Sequence, residues 1–239
     1  MSNWTRSPSC YSPVRLGGLA RRYAITNYDY RLRLLAACLS CLAGYVDAIG
    51  FIRTGGFFVS FMSGNSTRVG VGLAAGATHG AIAAGLIGCF LIGVVAGAVV
   101  GHLSGRYRRI GVLALVAILL TIAAFTGGSG SAVPAIVAMV MAMGAENAVF
   151  TEAGEVRIGL TYMTGTLVKL GQRVSAALFG GDPLAWLPYF LLWAGLIAGA
   201  VAGASAYGRF GMAALWGAVL ATVILMGVAA RLGPDPKWR

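Results

Sequence analysis

Apolar residues in this chain gather into long runs instead of alternating with polar ones, and short polar or basic breaks separate the runs. The runs extend from Leu32 to Ile52, Gly80 to Leu103, Ile110 to Phe125, Ser131 to Phe150, Asp182 to Tyr207 and Met212 to Ala230. At about 1.5 Å of rise per residue they approach or exceed the length needed to cross about 30 Å of hydrocarbon. They are rich in Leu, Ala, Val, Gly and Met and lack a period of two, which predicts helices rather than barrel strands. Ser131 with Pro134, and Asp182 with Pro183, suit the cap and first turn of a helix. Two further segments, Gly55 to Gly76 and Arg157 to Phe179, are amphiphilic and rich in Gly, Ser and Thr.

Composition fixes the class: 58% of the 239 residues are apolar and 10% charged, with a mean hydropathy of +0.81. These values predict an all-α polytopic membrane protein. The excess of 18 Lys and Arg over 7 Asp and Glu does not point to nucleic acid, because the basic residues sit in short blocks beside apolar spans, where they set topology. Arg6, Arg15, Arg21, Arg22, Arg31 and Arg33 crowd the polar start, and no apolar signal core precedes the first span. Residues 1–31 read as a basic, loosely ordered cytoplasmic tail able to meet anionic lipid, 32–232 as one membrane domain, and 233–239 as a second cytoplasmic tail. Cys38 and Cys41 form a CxxC by letter only and are expected to pack.

The chain matches itself. "GYVDAI" from Gly44 aligns with "GAENAV" from Gly144, setting Asp47 opposite Asn147 and Val46 opposite Glu146. "MSGNSTRVG" from Met62 aligns with "MTGTLVKLG" from Met163, and "GVVAGAVVG" from Gly93 with "GLIAGAVAG" from Gly195, six of nine letters being identical. The expected organisation is two homologous halves, about 33–128 and 131–231. Charge decides their relation. Six spans plus two re-entrant or broken segments bring Arg106, Arg108 and Arg109 to the same side as the Arg-rich start, whereas eight full spans export them. The halves are therefore expected to be inverted.

Unwound backbone in hydrocarbon leaves N–H and C=O groups unpaired and is tolerated only inside protein or beside water. Gly55, Gly56, Gly64, Gly70, Gly72 and Gly76 suit such a break. The expectation is that two half-helices meet near the midplane, aiming Ser63, Gly64 and Asn65 from one half and Thr164, Gly165 and Thr166 from the other at one solute. Asp47, Arg68, Glu146, Asn147 and Lys169 complete the candidate site. Each half then holds an acid and a base, which can couple to substrate or protons, form a structural ion pair, or be solvated near the interface. The glycines at Gly93, Gly97, Gly101 and Gly105, and at Gly195, Gly199 and Gly203, form small-residue ridges that join the halves or a second copy. Arg53, Arg157 and Arg173 suit snorkelling. His79 and His102 are isolated, so neither a metal nor another cofactor is expected, and no dense polar constellation points to an enzyme.

"AGYVDAIGFIRTGGFFVSFMSGNSTRVGVGL" resembles the opening signature of the YoaK-type small transmembrane proteins, a bacterial family of unknown function, and "TYMTGTLVKLG" resembles its second signature. The resemblance covers about Leu34 to Ala230 and implies a multi-pass inner-membrane protein, with no functional residue to carry over. The functional expectation comes from the residues instead: a transporter or channel for a small polar or anionic solute. The alternative is a non-transporting scaffold or sensor whose motifs only pack helices.

Overall fold

The computed structural model describes residues 29–75, 79–152, 155–156 and 159–233. Most of the N-terminal tail and the position of Arg157 lie outside them. Eight α-helices are found among the described residues: α1 Tyr30–Arg53, α2 Met62–Ala75, α3 His79–Leu103, α4 Arg108–Gly128, α5 Ala132–Glu146, α6 Met163–Leu178, α7 Leu187–Phe210 and α8 Leu215–Arg231. A 3-10 turn, Asn147–Phe150, continues α5, and a two-residue antiparallel ladder pairs Thr151 with Val156 and Glu152 with Glu155.

The protein is an all-α polytopic membrane protein. Among the described residues, five stretches are long and apolar enough to cross a bilayer, and the last, Leu187–Arg231, holds 45 residues. That is about 68 Å of helix, twice the hydrocarbon thickness. The stretch breaks at Gly211, whose φ of +57° suits a residue without Cβ, so α7 and α8 are separate.

Contacts fix the direction of each long helix. The end where α1 finishes is termed distal and the other proximal. Gly195, Gly199 and Gly203 of α7 sit on Ala37, Cys41 and Tyr45 of α1, in the same order, so the two helices run parallel. Tyr45 donates to the Ala214 carbonyl at 2.8 Å, which places the start of α8 distally. The end of α4 lies there too, since Phe125 stacks edge-on with Trp216 at 4.9 Å and Gly127 faces Met212. Helix α3 forms a tight antiparallel hairpin with α4, Gly101 facing Val112, and therefore starts distally. Consistent with this, Phe57 just beyond α1 stacks on His79, the first residue of α3, at 6.3 Å. Everything between α1 and α3, including α2, thus leaves and returns at the distal end. By the same logic α5 ends and α7 begins proximally, so α6 belongs to a proximal excursion.

Of the glycines expected at the break, Gly55 and Gly56 make it and the others described do not. Gly64, Gly70 and Gly72 are inside the continuous α2, and Gly165 is inside the continuous α6. The non-helical backbone of the two excursions is residues 54–61, turned by Gly55 (φ +69°) and Gly56 (φ +114°), and, on the proximal side, residues 151–152, 155–156 and 159–162. Nor do the short helices meet: among the described residues α2 packs on α3 and α6 on α7, but not on each other. Each is tethered by a few residues to the long helix that follows it, and that neighbour captures its small buried face.

Two of the bundle's interfaces are lined by glycine. Alongside α7 on α1, helix α3 lies parallel on α5, with Gly93 and Gly97 over Met141 and Ala145. A Cβ on Gly97 would come within 2.7 Å of the Ala145 carbonyl oxygen, and one on Gly195 within 2.7 Å of that of Ala37. Backbones approach this closely only at glycine. The registers differ. Gly93 and Gly97 face residues three before and one after Gly144, whereas Gly195 and Gly199 face residues seven and three before the aligned Gly44. The offset is four residues, one helical turn. Leu35, Leu39, Val46, Leu113, Leu120, Met139 and Met143 fill the interior.

Glycines that pack and glycines that do not should separate by calorimetry in detergent. Gly199→Ala places a methyl against the Cys41 carbonyl and is expected to lower stability by about 1–3 kcal/mol or prevent folding. Gly165→Ala meets nothing within 4 Å and is expected to stabilise by up to about 1 kcal/mol through helix propensity. An equal response at both positions would contradict the assignment of the ridges.

Candidate functional site

The distal break solves its backbone problem with side chains. Asp47, about 9 Å below the end of α1 at 1.5 Å per residue, turns one carboxylate oxygen, Oδ1, to the amide groups of Val59 and Ser60. These donate to it at 2.9 and 2.7 Å. Thr54 Oγ1 bridges the Gly50 carbonyl and the Phe57 backbone, accepting from the Phe57 amide at 3.0 Å. Asn65, fully buried on the inner face of α2, accepts from the Phe58 amide at 3.2 Å and donates to the Phe58 carbonyl at 2.7 Å. Val59 packs into the notch left by Gly50, where no side chain would fit. Extended backbone at this depth is stable because these groups replace the ladder it lacks.

The proximal side repeats the arrangement with weaker groups. Asn147 lies opposite Asp47 in the self-alignment, and its Oδ1 accepts from Thr161 Oγ1 at 3.1 Å while its amide donates to the Met143 carbonyl at 3.0 Å. Thr161 stands opposite Ser60, two residues before each aligned Met. Thr166, opposite Asn65, is buried and bonds back to the Tyr162 carbonyl at 3.2 Å. A carboxyl oxygen that accepts from two amides is thus replaced by a single amide–hydroxyl bond.

The acid–base pairs expected from sequence do not form among the described residues. Asp47 is committed to amides. The half-buried Arg68 lays its guanidinium over Phe57 at 5.0 Å and Phe58 at 5.9 Å. Lys169 is exposed on α6. Glu146, the last residue of α5, is wholly buried, and neither carboxylate oxygen has a hydrogen-bond partner. It stands where the aligned position holds the equally buried Val46. Ser63, Thr164 and Gly165 are exposed, and Gly64 meets only Phe61 and Phe58. The Ser66 and Thr67 hydroxyls donate back to the Met62 and Ser63 carbonyls at 2.9 and 3.3 Å. The candidates therefore fall into two separate clusters, a distal one around Asp47, Asn65 and Arg68 and a proximal one around Glu146, Asn147 and Thr166.

Sequence reasoning missed Thr54, Ser60, Thr161 and the phenyl rings beneath Arg68. Ser60 and Thr161 had a signal, since both stand at the same distance before the aligned methionines. Thr54 had none, because its partners are backbone. Arg108, expected only as a topology determinant, also ties α4 to the proximal segment by donating to the Thr151 carbonyl, with a second bond to Gly101 at 3.4 Å.

The distal tie should be graded. Asp47→Ala strands two amide donors and is expected to cost about 2–4 kcal/mol, whereas Asp47→Asn keeps an acceptor oxygen and is expected to cost about 1 kcal/mol. Hydrogen exchange should place the loss in residues 54–61; protection changes spread evenly over the bundle would refute the latch.

Comparison with known proteins gives the same class. The family described as "Protein of unknown function (DUF1275)" matches residues 35–228. The chain is 37% identical over 206 residues to "UPF0700 transmembrane protein RA0705" of Rhizobium meliloti (strain 1021), covering 86% of this chain and 88% of that relative. No solved structure matches. With nearly all of its helical bundle inside the matched region, the chain belongs to the DUF1275 family.

Proposed function

We propose that this protein is a membrane transporter for a small polar or anionic solute, built from duplicated, inverted halves and working by alternating access. The observation that carries this reading is Glu146, a fully buried carboxyl group with no hydrogen-bond partner. A group of that kind destabilises a fold that merely holds helices together, and an acid at membrane depth marks a solute or ion path. Glu146 needs a proton or a cation to persist where it lies, and it can exchange either only when the proximal side opens. In the proposed cycle it takes up a proton on one side and gives it up on the other, driving the solute.

Supporting features are the two excursions at opposite ends of the bundle, each tied to a polar residue on the first helix of its half. They serve as gates, with Asp47 and Asn147 as latches. The proximal end carries Arg31, Arg33, Arg106, Arg108, Arg109 and Arg231, so it faces the cytoplasm of an inner membrane by the positive-inside rule, with both termini there. The membrane lipid is the constant partner, and the exposed faces of α2 and α6 leave room for a second copy.

Proteoliposomes loaded with a pH-sensitive dye test the reading. Defined panels of small acids, inorganic phosphate, amino acids and sugars are added outside, and proton movement is followed. At least one panel is expected to drive proton movement in the wild type, reduced at least tenfold in Glu146→Gln. Glu146→Val, the residue of the aligned half, is expected to abolish movement while raising stability by about 1–3 kcal/mol, because it removes an unsatisfied buried group. Flux that is indifferent to Glu146, or no flux from any panel, would leave the packing scaffold as the better account.

A further inference from the structure

The distal cluster holds a feature that the gate does not use. Arg68 is fixed in place by two aromatic rings, yet no group among the described residues accepts a hydrogen bond from its guanidinium. The nearby acid, Asp47, is already occupied by two backbone amides. Beside Arg68 lies a pocket of about 290 Å³ between α2 and the start of α3. His79 lines the same pocket, its ring stacked at 11° to that of Phe57, so one phenyl group steadies two basic side chains. The remaining wall is Phe57, Val71 and Ala75, with the Thr67 hydroxyl bonded back into its own helix.

We propose that this pocket binds a small monocarboxylate with an apolar body. The guanidinium supplies a planar fork of donors that matches one carboxylate bidentately, and its stacking removes the entropy loss of ordering a long side chain on binding. His79 adds a second donor at the same end. The apolar wall accommodates a hydrocarbon or aromatic body, and it offers no partners for the further oxygens of a dianion such as phosphate, which would be desolvated without compensation. The same chemistry is presented by a free acid arriving from the distal aqueous side and by a fatty acid dissolved in the bilayer. In the transport reading, on which this deepening rests, the pocket is the distal recognition site and names the solute class.

The test is binding, which needs no flux. Full-length protein in phosphatidylcholine nanodiscs is titrated calorimetrically with benzoate, and separately with inorganic phosphate. Saturable benzoate binding is expected, weakened at least tenfold by Arg68→Gln, partly restored by Arg68→Lys, and blocked by Ala75→Trp, which fills the pocket. Phosphate is expected to bind at least tenfold more weakly. Unfolding midpoints verify that each variant is folded; if Arg68→Gln is not, Ala75→Trp and the phosphate comparison decide. Laurate added to the nanodisc that displaces benzoate assigns the site to a membrane fatty acid, and laurate that leaves benzoate bound assigns it to a free acid; both agree with the proposal. No benzoate binding, equal affinity for phosphate, or binding unchanged by both substitutions would overturn it. Proton flux with another solute but no benzoate binding would remove the solute class alone, while benzoate binding without flux from any panel would remove the transport reading and keep the pocket.

Discussion

Hydrocarbon offers backbone amides no partner, and this one constraint explains where the polar residues of the protein are. A chain that stays helical satisfies itself, as the six long helices do. A chain that unwinds at depth has to bring its own substitutes, and residues 54–61 do so with the carboxylate of Asp47, the hydroxyl of Thr54 and the carboxamide of Asn65. The polar residues that look like a lining for solute are in large part a lining for backbone. The buried carboxyl of Glu146 and the stacked guanidinium of Arg68 are not explained by that need.

Glycine plays the complementary part. In lipid, helix association gains little from the hydrophobic effect, so it depends on close van der Waals approach. The ridges of α3 and α7 supply that by letting carbonyl groups of α5 and α1 sit where side chains would be. The α7 ridge grips α1 and the α3 ridge grips α5, so helices far apart in the chain are interlocked.

Much of this was legible in the sequence. The spans and the ridges follow from run length and the four-residue glycine spacing. The site was less legible, for a physical reason. An aspartate at membrane depth such as Asp47 is compatible with an ion pair, a proton path or a cap on unwound backbone, and the partner in the last case is an amide, which every residue carries. Glycine likewise marks both turns and tight packing, so among the glycines that suit a break only Gly55 and Gly56 make it, while Gly64 and Gly165 lie inside helices. Glu146 was visible as an acid, but its solitude required the coordinates.

The one-turn offset between the two glycine contacts breaks the symmetry of an otherwise equivalent pair. Both interfaces use the same small-residue teeth, seated one turn apart. One turn corresponds to about 6 Å along a helix, so the two ridges grip their partner helices at different heights.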